Sequence, residues 1–194
     1  MYGDTHAVAH GISTELPDFD FETYSEAGYR WVESERKWHS LEGIRETERG
    51  LGVVGVRNYV QHPSFEVLCL SYNLKRGVGA RFWRPGMPTP DDLLEHVRAR
   101  LLIEAWNVEF ELTVWNYYCV AAFGWPALDM DQLRCAMAKA RAFSLPSALD
   151  NAGKVLQLKN LKDPKGKKLI QKLTVPHNPT STNPARRWSP PPLP

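Results

Sequence analysis

The chain has 194 residues, 43% of them hydrophobic, which suits one globular domain with an ordinary core and tails. Lys and Arg number 24 against 22 Asp and Glu, so charge balance gives no global argument for a polyanionic partner, and any basic surface must be local. Cys69, Cys119 and Cys135 lie far apart with no C-x-x-C pair, which argues against a zinc ribbon or a disulfide scaffold and points to a reducing cytoplasm.

Residues 1–16 show no sustained period and are expected to form a poorly ordered leader. They lack a basic stretch running into an apolar one, and no later stretch is apolar and long enough to span a bilayer, so a soluble, unexported protein without a membrane partner is expected. Residues 17–23 predict a strand. The polar, glycine-punctuated stretch 27–52 reads as an insertion or long connection with little core of its own.

"SFEVLCLSYNL" (64–74) predicts a strand, followed by the turn "RGVG" and a short strand "ARFWRP" in a hairpin. "TPDDLLEHVRARL" predicts a helix with Thr89 as N-cap, Pro90 at the first helical position and two acids in the first turn. "LLIEAWN" (101–107) reads as a buried strand, and "VEFELTVWNYYCVAAFG" as a helix stopped by Gly124, with Pro126 beyond. Residues 131–142 and 146–157 predict two more helices. This alternation implies an α/β domain over 17–175. From "KNLKDPKGKKLIQKL" the chain turns basic, and residues 176–194 form a Pro-rich linker or tail.

The first strand carries the chemistry. A period of two sends Asp18, Asp20 and Glu22 to one face and Phe19 and Phe21 to the other. Acids so placed need solvent or cations. They form either the solvated face of an edge strand, or a site in which carboxylates two residues apart hold hard divalent ions through oxygen. "WNVEFEL" adds Asn107 at a strand end and Glu111 in the first turn of the next helix, where the helix dipole also favours a carboxylate.

In order, "DFETYSE", "SFEVLCLSY", "LLIEAWNVEFELTVW", "QLRCAMAKARAFSLPSALDNAGKVL" and "KDPKGKKLIQKL" resemble the proofreading 3′-to-5′ exonuclease domain of phage family A DNA polymerases. The resemblance implies the ribonuclease H-like fold of DEDD exonucleases, a mixed sheet of about five strands with helices on both faces. It assigns Asp20 and Glu22 to the first exonuclease motif and Glu111 to the second, where many relatives carry aspartate. It also implies two Mg²⁺ or Mn²⁺ ions: Asp20 bridging both, Glu22 on the water-activating ion, and Glu111 acting on the other through water.

Under the same resemblance Thr23, Tyr24 and Phe110 are candidates to meet the terminal nucleotide of a single-stranded DNA 3′ end, and Asn107 to orient the strand end or substrate. Phe110 and Tyr24 read equally as packing residues. Lys165, Lys167, Lys168 and Lys172 either track phosphates or form a solvated basic turn.

The family's third motif, a Tyr-x-x-x-Asp or its His cousin, has no match after Glu111. A polymerase domain or second chain is therefore the expected partner supplying it, with weak or no activity from this chain alone. A non-catalytic nucleic-acid- or protein-binding module on the same fold is the alternative, and the metal chemistry leaves RNA open as a substrate. No phosphate-binding P-loop, H-E-x-x-H or G-x-S-x-G motif is present.

Overall fold

The computed structural model describes residues 16–42, 50–158 and 163–182. Residues 1–15 of the expected leader and most of the Pro-rich tail lie outside the described residues. Strand β1 (Asp18–Tyr24) is followed by a hairpin of β2 (Tyr29–Val32) and β3 (Lys37–Ser40), and then by helix α1 (Leu51–Gln61). Next come β4 (Glu66–Asn73), β5 (Arg81–Trp83), α2 (Asp91–Arg98) and β6 (Ile103–Ala105). A helical rod runs through α3 (Val108–Thr113), a π-helical segment (Val114–Cys119) and α4 (Val120–Phe123). A 3₁₀ turn (Met130–Gln132), β7 (Leu133–Cys135), α5 (Ala136–Ala142), α6 (Leu149–Val155) and α7 (Pro164–Thr174) complete the elements among the described residues.

The main sheet has five strands in the order β5-β4-β1-β6-β7. β1 pairs antiparallel with β4, and β4 with β5, whereas β6 runs parallel to β1 and β7 parallel to β6. Parallel neighbours need crossover connections, which α2 and the rod supply. Order and directions together make this a ribonuclease H-like α/β fold with helices on both faces.

Phe19 and Phe21 meet the rod, Phe19 at 5.8 Å from the Trp115 ring and Phe21 stacked 6.5 Å from Trp125. Trp125 extends the cluster to Trp115 (4.8 Å) and Trp83 (4.9 Å). On the opposite face Lys139 of α5 is bonded to Glu104, the register partner of Asp18. Helix α7 also lies against β1.

Four local expectations are corrected. Helix α2 starts at Asp91: the Pro90 carbonyl accepts from Leu93 and Leu94 N, which makes Pro90 the N-cap, and proline has no side-chain acceptor to cap with; Thr89 stands outside it. The strand expected over 101–107 keeps only Ile103–Ala105, since Leu101 and Leu102 are exposed after Arg100 turns to positive φ. The helix expected over 131–142 begins with the 3₁₀ turn and β7, because β6 needs an outer partner and Leu133–Cys135 supplies it. The helix ended by Gly124 does end there, with φ 67°, but widens to π geometry at 114–119. There Asn116 bonds the backbone of Leu128 in both directions, and Trp115 Nε1 donates to the Pro126 carbonyl.

The insertion is more structured than its composition suggests. In the β2–β3 hairpin the Trp31 and Trp38 rings pack 5.5 Å apart, and Trp38 N donates to Asn178 Oδ1 at 2.6 Å. At the hairpin's root a Cβ on Gly28 (φ 81°) would lie 2.6 Å from the Gly50 carbonyl oxygen, so the two ends of the insertion approach this closely only through glycine. The basic run forms α7, capped by Asp163 accepting from Lys165 N and Gly166 N, both at 3.0 Å.

Trp115 has no exposed surface and joins β1 to the rod. Trp115→Ala should lower unfolding free energy by about 3–5 kcal/mol in urea titration, as large aromatic truncations in close-packed cores do; a loss under about 1 kcal/mol would contradict this packing.

Candidate functional site

The acids of β1 sit on the strand at the centre of the sheet. Asp20 is exposed and pairs in register with Ser71; Glu22 is half-buried and pairs with Cys69. Small side chains thus face the two acids across β4. Asp18 is diverted into an ion pair with Lys75 at 2.6 Å. Cys69 reports the field of the remaining acids: its thiol is pushed up first by burial, then by the charges of Glu22 and Asp20.

Glu111 reaches the same strand from the other side. Strand β6 ends at Ala105, and Asn107 then opens α3, its carbonyl accepting from Phe110 N (3.0 Å) and Glu111 N (3.3 Å). Because β6 is so short, the β1 backbone beyond its first residues lacks a strand neighbour on this side. The Glu111 carboxyl fills the gap: Oε2 accepts from Phe21 N at 3.2 Å, at the residue between Asp20 and Glu22. Glu111 therefore turns toward the acid pair, not away from it.

This placement is electrostatically costly. Glu111 is only 3% exposed, and burial is the largest influence raising its carboxyl well above the usual range. The charges of Asp20 and, more weakly, Glu22 push in the same direction; the Phe21 N–H opposes them. Among the described residues no cationic side chain offsets this. Behind it, Cys119 is raised by burial and by the charge of Glu111.

The other predicted site residues divide. Thr23 and Tyr24 are buried: Thr23 Oγ1 lies 3.3 Å from Tyr59 Oη, and Tyr24 Oη donates to Glu26 Oε1 at 3.2 Å. As placed, neither side chain offers a surface to a nucleotide. Thr23 falls on the Phe face by strict alternation; the β1–β4 register slips beside it, where β4 carries Leu68 as the extra residue, and Tyr24 pairs with Glu66 at the end of the strand. Phe110 is half-buried, its ring 6.3 Å from Tyr59. Asn107 is also half-buried, in the N-cap position of α3. Lys165, Lys168 and Lys172 are exposed on α7, which also carries Lys167.

Sequence reasoning missed Tyr59, Cys69 and Ser71 around the acids. The alternation of Cys69 and Ser71 was visible, but not the register that sets them opposite Glu22 and Asp20. Among the described later acids, Asp129 is paired with Arg100, Asp150 with Lys154, and Asp163 caps α7. Among the described residues no three His, Cys, Asp or Glu side chains stand ready as a group to hold a metal ion, and no helix is long and apolar enough to cross a membrane.

The fold and acid cluster define a ribonuclease H-like domain with carboxylates gathered at its central strand. In sequence the chain is similar to a DNA polymerase of Bacillus phage SP02, 33% identical over 131 residues that cover 66% of this chain and 19% of that polymerase. The similarity relates the chain to a phage polymerase, of whose length it spans about a fifth. No family model and no solved structure matches.

An acid whose folded-state pKa is raised gives stability that is fully present below its unfolded pKa and is lost as pH rises through the folded one. Metal-free protein should therefore lose stability as pH rises from about 4.3, the unfolded glutamate value, through the raised value of Glu111. Glu111→Gln keeps an acceptor for Phe21 N and removes the charge, so at neutral pH it should raise Tm by about 2–4 °C for each ~1 kcal/mol relieved. Thermal melts with chelator at pH 4 and pH 7 check this; equal or lower Tm for the variant at pH 7 contradicts it.

Proposed function

We propose that this domain is the 3′-to-5′ exonuclease part of a phage-type DNA polymerase, or a subunit working with one, and that it shortens single-stranded DNA 3′ ends by metal-dependent phosphodiester hydrolysis. One observation carries the reading: the Phe21 N–H to Glu111 bond, which brings the carboxyl of a distant helix against the strand between Asp20 and Glu22. The relation to a phage polymerase supports the replicative context and a bacterial cytoplasm as the place of action.

The residues fit divalent cations in charge and donor type. Three carboxylates, one of them raised first by burial and then by the charges of the other two, are hard oxygen donors whose mutual repulsion a cation relieves. Bound Mg²⁺ or Mn²⁺ supplies Lewis acidity and a water of lowered pKa. Asp20, the most exposed of the three, would be shared between ions; Glu22 would hold the one beside the attacking water; Glu111 would act on the other. Because no three donors stand ready among the described residues, Asp20 and Glu22 would have to re-aim to hold a cation together with Glu111, which accepts from Phe21 N. Phe110 and Asn107, half-buried at the head of α3, remain to meet the terminal nucleotide, and the α7 lysines to meet phosphates. The third-motif acid would come from a polymerase domain or a second chain, so this chain alone cleaves weakly.

With 5′-labelled single-stranded DNA and Mn²⁺, the wild type should shorten the strand slowly from its 3′ end, and Asp20→Ala should reduce the rate by at least about 100-fold. Undiminished digestion by Asp20→Ala would overturn the assignment. DNA binding with no cleavage, even when the remaining polymerase is supplied, would favour a non-catalytic binding module.

A further inference from the structure

Tyr59 touches both elements that carry the acids. It lies in α1, past the break in helical geometry at Gly55, and is 7% exposed. Its hydroxyl is 3.3 Å from Thr23 Oγ1, the residue after Glu22, and its ring is 6.3 Å from that of Phe110, the residue before Glu111. Its carbonyl accepts from Ser25 Oγ at 3.1 Å, a second tie to the end of β1. Phe65 closes the other side of the ring at 5.8 Å. The ties fall just after the β-bulge, at Thr23, where the β1–β4 register has shifted, and at Ser25, the residue after the strand ends.

We propose that Tyr59 is a positioning residue for the acid site: wedged between β1 and α3, it sets the separation between the Asp20–Glu22 pair and Glu111. This gives α1 a purpose, as the buttress of a cluster to which it contributes no carboxylate. The proposal rests on the reading of the acids as cation ligands. Residues that orient metal ligands typically change affinity about 10–100-fold when altered.

The test is calorimetric titration of Mn²⁺ into the metal-free full chain, wild type and four variants. Tyr59→Leu should weaken Mn²⁺ binding about 10-fold or more. Tyr59→Phe, which keeps the ring and loses the hydroxyl, should fall between it and wild type. Tyr118→Leu serves as a control: Tyr118 packs 4.9 Å from Phe65 in the same aromatic group, away from Thr23, and should leave affinity unchanged. Asp20→Ala should abolish binding. If Tyr59→Leu binds Mn²⁺ as wild type does while Asp20→Ala does not bind, the positioning role is wrong and the acid site stands. If Tyr118→Leu weakens binding equally, the effect is general loosening and the proposal also fails. Wild-type binding by Asp20→Ala overturns both readings. Should Tyr59→Leu not fold, Tyr59→Phe decides: unchanged affinity rejects the proposal and a loss supports it.

Discussion

A strand that stops early organises this molecule. β6 contributes three residues to the sheet and pairs with β1 at Asp18, so beyond Asp18 no strand pairing continues on that side of β1. A bare N–H inside a fold demands an acceptor. The first turn of α3 supplies it for Phe21, and the acceptor is a carboxylate. One backbone requirement thus draws a buried glutamate to two other acids, and the resulting electrostatic strain is what a cation would relieve.

Such strain persists only because the surroundings hold it. The Phe face of β1 is locked to the rod by Trp115 and Trp125, and Trp115 is tied again through its indole N–H to the Pro126 carbonyl. Asn116 pins the π-helical segment to Leu128. These contacts fix α3, and hence Glu111, relative to β1 from the side away from the acids. The apolar face supplies the rigidity and the acidic face carries the charge, a division that the two-residue period of one strand makes possible.

How much of this was legible follows from the range of each signal. The alternation of Asp18 to Glu22 is local, and it was readable because neither face of β1 changes before the bulge. Glu111 was legible through the resemblance to the exonuclease family; the apolar segment, asparagine and helical period around it placed it in the first turn of a helix and left its role open. β7 was hidden: three residues long and flanked by helix formers, it exists because β6 offers it an edge. The β2–β3 hairpin escaped because its turn uses Arg36 at positive φ where a glycine would have signalled it. The burial of Tyr24 depends on tertiary packing at the end of β1, where its hydroxyl meets Glu26, which no period-based reading of β1 contains.

The central claim is that three carboxylates form one electrostatic unit across β1. Its most direct test is a carbon-13 NMR titration of the Glu111 side-chain carboxyl in metal-free protein, wild type against Asp20→Asn. The account predicts a wild-type midpoint clearly above the ordinary glutamate value of about 4.3 and a lower midpoint once Asp20 is neutral. An ordinary midpoint, or one that Asp20→Asn leaves in place, would contradict it.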